Sequence, residues 1–259
     1  MNTTTSTNRI DKLFQEKQGR ILNVYFTAGF PTLDSTVGTI EALSAAGVDL
    51  IEVGMPFSDP LADGPTIQGS NERALENGMH LELLLEQVAE ARRRVDTPMV
   101  LMGYFNQVMQ YGEERFVQRA AEIGVDGLIL PDLPLDVYEE EYRKMFERHG
   151  LGVTFLISPQ TSEARIRHID SLSHGFIYMV SSSSITGGQS GLAGAVPYFE
   201  RVQAMDLKTP RLIGFGISAA ADFNLVSEYA HGAVVGSAFI RALDAGQGVA
   251  EWVKGIRGE

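Results

Sequence analysis

A chain of 259 residues, 44% hydrophobic and 21% charged, can bury a large core, which excludes a disordered or fibrous protein. Its net charge of −12 excludes the broad basic field that nucleic acid or an anionic membrane requires, although a few backbone N–H groups can still bind one phosphate. The lack of cysteine excludes disulfides and thiolate chemistry, and a first segment unlike a secretory signal predicts a cytoplasmic protein.

Eight short apolar runs alternate with longer amphipathic segments along the chain. Near-continuous apolar strands separated by helices are typical of a parallel sheet that is buried on both faces. The predicted strands are residues 21–29, 49–54, 98–104, 125–131, 152–157, 175–180, 211–216 and 232–237. The predicted helices are residues 8–19, 33–47, 81–95, 112–124, 136–150, 161–173, 195–205, 219–230 and 236–256.

Eight such units in one chain favour a closed (β/α)₈ barrel over an open doubly wound sheet, which is the alternative. The barrel is expected to occupy residues 1–259 as a single domain. Its first helix, over residues 8–19, precedes the first strand and is therefore extra to the eight units. Residues 1–7 are expected to form a frayed tail.

Two carboxylates stand out near the predicted second strand. Glu52 lies inside the apolar run "DLIEVG", and Asp63 follows eleven residues later in "MPFSDPLADGP". In barrels the chemistry lies at the carboxyl ends of the strands, so both side chains can reach one opening and perform acid/base work. The alternative for Glu52 is a structural carboxylate bonded to a tyrosine or serine. Asp49 and Asp59 are interpreted as strand-entry and turn residues.

Glycine-rich segments follow the last three predicted strands. They read "SITGGQSG" (184–191), "GFGIS" (214–218) and "VGSA" (235–238), the last of which opens a helix. Bare N–H groups beside a helix N-terminus after strands 7 and 8 form a recurrent phosphate site in barrels. Each segment alone is weak evidence, because glycine is also the usual loop residue.

Other patterns point to no cofactor. The five histidines show no metal-ligand spacing and lie away from the carboxyl ends of the strands, so no metal site is expected. "GFGISAA" fails the dinucleotide fingerprint, because Ala219 stands where its last glycine belongs.

The segment "LIEVGMPFSDPLADGPTIQ" closely resembles the signature of the tryptophan synthase alpha chain family. The likeness extends over nearly the whole chain, through the segments "VYFTAGFPT", "VLMGYFNQVMQYG", "GLILPDLP", "ITGG", "GFGIS" and "VGSA". The resemblance implies a (β/α)₈ barrel that cleaves indole-3-glycerol phosphate to indole and glyceraldehyde 3-phosphate, a carbon–carbon lyase reaction in tryptophan biosynthesis.

The resemblance also implies roles for residues. Glu52 matches the acid/base carboxylate, and Asp63 matches the carboxylate that holds the indole N–H. Substrate-binding positions are matched by Tyr25 (often phenylalanine in the family), Tyr178, Thr186 of a loop that closes over the site, and Phe215. The phosphate-binding backbone is matched by Gly187, Gly216, Gly236 and Ser237. One departure is Ser182, which stands where the family often has an arginine, so loop closure is not expected to depend on an arginine here.

A partner follows from the same resemblance. The family's alpha chain docks on a beta chain in an αββα heterotetramer, through loops that match Met55 to Pro60 and Asn106 to Tyr111. Pyridoxal phosphate is expected only in that beta chain, and no cofactor in this one. Two alternatives remain open at this stage: a phosphosugar isomerase on the same barrel, and an activating subunit with little activity of its own.

Overall fold

The computed structural model describes residues 8–60, 63–181 and 191–259. Its parallel strands are β1 (Ile21–Thr27), β2 (Leu50–Gly54), β3 (Met99–Met102), β4 (Gly127–Ile129), β5 (Gly152–Thr154), β6 (Leu156–Ile157), β7 (Ile177–Val180), β8 (Arg211–Gly214) and β9 (Gly232–Val235). Almost every strand residue is buried, as expected for strands covered on both faces.

The strands form a closed barrel. Hydrogen-bonded neighbours follow the order β5-β4-β3-β2-β1-β9-β8-β7-β6. Only Phe155 separates β5 from β6, so the two ends of this order are halves of one chain segment. The predicted (β/α)₈ barrel is confirmed, and its fifth strand is interrupted at Phe155.

Helices surround the strands. They are α1 (Arg9–Glu16), α2 (Ser35–Ala45), α3 (Pro65–Glu76), α4 (Leu81–Arg92), α5 (Phe105–Tyr111), α6 (Glu113–Glu122), α7 (Leu135–Val137), α8 (Arg143–Arg148), α9 (Glu163–Leu172), α10 (Val196–Gln203), α11 (Ala220–Ser227), α12 (Ser237–Asp244) and α13 (Val249–Arg257). A π-helical turn spans Tyr138–Tyr142, and a 3₁₀ turn spans Leu192–Ala195. None of the helices within the described ranges is long and apolar enough to cross a membrane.

The helix pattern departs from the prediction in four places. Helices α3 and α5 are not among the predicted helices. Helix α3 has no apolar stripe that would indicate a helix, because it carries Pro65 and Gly69 and buries the polar Ser70 and Asn71. The segment 136–150 is three pieces rather than one helix, since the π turn interrupts it. The last predicted helix is two, α12 and α13, because Gly246 adopts a left-handed conformation with φ of 68°.

Helix α1 closes the amino end of the barrel. Ile10 and Phe14 are buried there in a cluster with the inward-facing residues at the strand starts, including Ile21, Leu50 and Phe176. The Asn8 side chain caps α1 by accepting a hydrogen bond from the Ile10 N–H at 2.9 Å. The extra N-terminal helix is thus confirmed, while the predicted tail over residues 1–7 lies outside the described residues.

Candidate active site

Glu52 lies within β2, between Tyr25 of β1 and Val100 of β3 in the sheet register. Its side chain is buried and points into the barrel, where its Oε2 accepts a hydrogen bond from the Asn23 amide nitrogen at 2.9 Å. Burial raises the pKa of Glu52 to about 8, against the lowering effect of the Asn23 bond, and the nearby Asp63 raises it further. A carboxyl with this pKa exchanges its proton readily near neutral pH.

Asp63 returns to the same opening from the loop after β2. It is also buried, and the Tyr104 hydroxyl donates to its Oδ2 at 3.4 Å. Its backbone carbonyl accepts from the Gln68 amide at 2.9 Å, which ties the residue to the first turn of α3. Burial raises the pKa of Asp63 to about 6, and the Tyr104 bond opposes this rise. The two carboxyls therefore differ in acidity, and Asp63 ionises first.

Two tyrosines form walls of the site, and each depends on a glycine. Tyr25 lies across Gly54 at the end of β2, where a Cβ atom would collide with the tyrosine hydroxyl. Tyr178 lies across Gly214 at the end of β8 in the same manner. Both tyrosines are buried, which raises their pKa well above the usual range, so both stay neutral near neutral pH.

The Tyr25 hydroxyl begins a short polar chain. Thr27 Oγ1 lies 3.3 Å from it and 2.7 Å from Ser70 Oγ, and Ser70 donates to the Ile67 carbonyl at 2.8 Å. Because that carbonyl can only accept, the proton of Thr27 points to Ser70 and the proton of Tyr25 points to Thr27. The Tyr25 oxygen therefore keeps a lone pair for an acceptor role in the cavity.

These side chains enclose a cavity of about 440 Å³, large enough for a small aromatic phosphate ester. Glu52, Asp63, Tyr25 and Tyr178 line its inner part. Phe215 adds a third aromatic wall, with its ring centroid 6.2 Å from that of Tyr178 in an edge-on arrangement.

The outer part of the cavity is lined by backbone from the ends of β8 and β9. Phe215 and Gly216 both have left-handed backbone, with φ of 69° and 78°. Gly236 caps α12, and Ser237 is its first residue. The first N–H groups of a helix have no partner within the helix and favour an anion. These four residues all line the cavity.

Asn23, Tyr104 and Arg241 are polar residues of the site that the sequence did not single out. Arg241 lies four residues after Ser237 on α12, lines the cavity, and is 3.4 Å through its Nη1 from Thr66 Oγ1. The helical spacing from Ser237 could have indicated it. Asn23 could have been found from strand alternation with Tyr25, whereas nothing in the sequence pairs Tyr104 with Asp63.

Among the remaining residues named from the sequence, Asp49 and Asp59 do not line this cavity. Thr186, Gly187 and Ser182 lie outside the described residues. Asp49 has the structural role predicted for it, since it accepts from the Leu22 N–H at 2.8 Å at the start of the barrel. Asp59 is exposed in a turn beside Ser58. Over the described ranges, no group of three or more histidine, aspartate or glutamate side chains could hold a metal ion.

Comparison with known proteins decides the family. The sequence model of the tryptophan synthase alpha chain matches residues 11–255. The chain belongs to the tryptophan synthase alpha chain family. The alpha chain of Flavobacterium johnsoniae is 54% identical over 253 residues, which cover 96% of this chain and 100% of that relative.

Solved structures agree with this membership of the tryptophan synthase alpha chain family. The crystal structure of the alpha chain from Legionella pneumophila has a TM-score of 0.85 and 34% identity, covering 98% of this chain and 97% of that one. A chain in the tryptophan synthase complex from Pyrococcus furiosus has a TM-score of 0.82 and 34% identity, covering 92% of this chain and 98% of that one.

Proposed function

We propose that Glu52 and Asp63 carry out the reaction of the tryptophan synthase alpha chain family, the cleavage of indole-3-glycerol phosphate to indole and glyceraldehyde 3-phosphate. The observation that carries the proposal is the pair itself. Two buried carboxyls, one with a pKa raised to about 8 and one to about 6, line one cavity together with the aromatic side chains of Tyr25, Tyr178 and Phe215. Neighbouring acids with separated pKa values can divide acid and base roles.

Glu52 is the group that moves protons in this proposal. In its protonated form it gives a proton to C3 of the indole ring, which places a positive charge on the ring nitrogen. As a carboxylate it then takes the proton of the hydroxyl next to the breaking bond. The electron pair of the carbon–carbon bond returns to the ring, the hydroxyl carbon becomes the aldehyde, and Glu52 ends protonated as it began.

Asp63 supplies the countercharge. As the more acidic of the pair, it is ionised when Glu52 is still protonated. A carboxylate beside the indole N–H stabilises the positive charge that develops on the ring nitrogen during the reaction. The low polarity of the buried site strengthens this attraction compared with water.

The remaining residues hold the substrate. Tyr25, Tyr178 and Phe215 are assigned to the indole and glycerol walls, and Thr186 to the loop that closes over them. The phosphate is assigned to the backbone of Gly187, Gly216, Gly236 and Ser237, with the N-terminus of α12 favouring its charge. Arg241 adds a cation at the same mouth of the cavity. No step requires a metal or cofactor from this chain.

The alpha chain pairs with a beta chain in tryptophan synthase, and pyridoxal phosphate belongs to that beta chain. We assign the contact to the loop after β2 and to α5, where Met109 is an exposed hydrophobic residue at 52%. Met55 and Pro56 are buried, so the exposed part of the first predicted segment begins at Phe57. Such a biosynthetic role suits the cytoplasm.

The test is the variant Glu52→Gln, which keeps the shape and the Asn23 hydrogen bond but cannot transfer a proton. Indole formation should fall by about 10³-fold while substrate binding is retained, because acid/base groups contribute about 10²–10⁴-fold. Glu41→Gln, at a partly exposed position of α2 where the carboxylate pairs with Arg94, is the matched control and should keep wild-type rates. Both chains are assayed alone and with the beta chain, which separates an enzyme from an activating subunit. Retained turnover in Glu52→Gln would refute the proposal.

A further inference from the structure

Asn23 is an unexpected residue at the centre of β1. It is completely buried, two residues before Tyr25, and its side chain therefore points to the same inner face of the barrel. The register pairs Tyr25 with Glu52, which makes Asn23 and Glu52 diagonal neighbours on two adjacent strands. The amide nitrogen of Asn23 lies 2.9 Å from Glu52 Oε2.

The other half of this amide has no partner. Asn23 Oδ1 is buried and accepts no hydrogen bond within the described ranges. A half-satisfied amide in a barrel interior destabilises the fold relative to a leucine of the same shape. Stability therefore explains Asn23 poorly, and within the described structure the one hydrogen bond of its side chain goes to Glu52.

We propose that Asn23 is a positioning residue that holds Oε2 of Glu52, so that the transferred proton resides on Oε1. This inference rests on the proposed role of Glu52. A protonated carboxyl has one carbonyl oxygen and one hydroxyl oxygen, and an N–H donor prefers the carbonyl oxygen. The same donor serves the carboxylate, so Asn23 keeps Glu52 in one orientation through the whole cycle.

The contact also adjusts acidity. A hydrogen bond to a charged carboxylate is stronger than one to a neutral acid, so Asn23 lowers the pKa of Glu52 against the effect of burial. The groups that face Glu52 from other elements are Asp63 after β2, which raises its pKa, and the hydroxyls of Tyr25 and Tyr178, both neutral. Asn23 is the group in this set that donates a hydrogen bond to Glu52, so its removal should raise the pKa of Glu52.

The test uses Asn23→Leu, which has nearly the same shape and no donor. The limb of the pH–rate profile that Glu52 controls should move upward by about one pH unit, the size expected for one hydrogen bond to a charged group. The shift is upward whether Glu52 acts first as acid or as base. The kcat should fall by about tenfold and more than KM changes, because Oε1 is no longer fixed.

A second readout does not depend on turnover. In protein labelled with ¹³C-glutamate, the infrared band of the protonated Glu52 carboxyl, assigned by its loss in Glu52→Gln, titrates in the ligand-free chain. Its midpoint should rise in Asn23→Leu and rise further in Asn23→Asp, where a like charge replaces the donor. If Asn23→Leu fails to fold, Asn23→Val serves in its place, because a β-branched residue suits a central strand.

The matched control is Gln87→Leu on α4. Among the described residues, Gln87 is also a buried amide with one donated bond, to the Leu33 carbonyl at 3.0 Å, and an unpaired oxygen, and it has no hydrogen bond to Glu52. It should leave the Glu52 midpoint and the pH limb in place. An unchanged midpoint in folded Asn23→Leu would overturn the positioning role. A shifted midpoint with retained turnover in Glu52→Gln would instead overturn the proposed function and leave the Asn23–Glu52 contact standing.

Discussion

Buried carboxylates occur at both ends of the barrel, with different partners. At the amino end, Asp126 bonds Arg9 at 3.0 Å and Arg92 at 2.9 Å, and it also accepts from the Met99 N–H at 2.9 Å. Asp49 at the same end bonds Lys17 at 2.7 Å. Cations and backbone N–H groups surround these carboxylates, and their contacts link α1 and α4 to the strands.

At the carboxyl end, Glu52 and Asp63 bond only neutral side-chain donors in the described structure, Asn23 and Tyr104. Burial there raises both pKa values, so a proton can be held and released. The partner of a buried carboxylate, rather than its burial, therefore decides whether it stabilises the fold or is available for proton transfer.

The largest expected effect is at the amino end. Asp126→Ala should lower the free energy of unfolding by about 3–5 kcal/mol, because it leaves the buried Arg92 without its carboxylate. Urea unfolding measures the change, and activity per folded molecule should be unaffected. Arg9→Ala is the control and should lose about 0–1 kcal/mol, since that side chain is 41% exposed. Equal losses in the two variants would contradict the claim that Asp126 stabilises the fold by pairing with the buried Arg92.

At the carboxyl end, Glu52→Gln should raise the free energy of unfolding at high pH instead of lowering it. The folded chain keeps the Glu52 proton up to about pH 8, whereas the unfolded chain loses it near its ordinary pKa of 4.5. Stability therefore falls as pH rises through this window, and Glu52→Gln removes the fall. The variant should be more stable than wild type by about 2–4 kcal/mol near pH 9 and equal to it near pH 4. Urea unfolding at both pH values checks this, and a less stable variant near pH 9 would contradict it.

Removing one of several cations should have a smaller effect. Lys17→Met takes one partner from Asp49, which keeps Arg257 at 2.9 Å and the Leu22 N–H at 2.8 Å. The free energy of unfolding should fall by about 1 kcal/mol or less, because Lys17 is partly exposed. Thermal melts measure the change. A loss as large as that of Asp126→Ala would show that Asp49 depends on this one cation.

The smallest expected effect concerns Asp63. Tyr104→Phe removes the hydroxyl that lowers the pKa of Asp63, so that pKa should rise above about 6. Because the bond is long at 3.4 Å, we expect the acidic limb of the pH–rate profile to move upward by about half a pH unit. An unchanged limb would mean that the hydroxyl does not donate to Asp63.

Much of the fold follows from the sequence because central strands of a barrel are apolar on both faces. All eight predicted strands appear, and only the break at Phe155 was not foreseen. Helix α3 was missed because polar contacts, such as the Thr27–Ser70 hydrogen bond at 2.7 Å, hold it against the barrel in place of an apolar stripe. Periodicity of hydrophobic residues does not record contacts of that kind.

The candidate site shows a similar division. Glu52 and Asp63 stand out in the sequence because carboxylates are unusual next to a buried strand and because the segment resembles a family signature. Asn23 and Tyr104 do not stand out in the sequence, because their roles depend on the hydrogen bonds that they donate to Glu52 and Asp63. Those distances depend on strand register and on the course of the loop after β2, which only the folded chain defines.

Helix α1 also affects where substrate can enter and products can leave. Ile10 and Phe14 pack against the side chains that fill the barrel interior at its amino end, so the barrel is closed at that end. The cavity lies at the opposite, carboxyl end of the strands, so the substrate and both products must pass through that end. A partner that receives indole must therefore contact the carboxyl end of the barrel. The order in which the two products leave then affects the rate of the whole reaction.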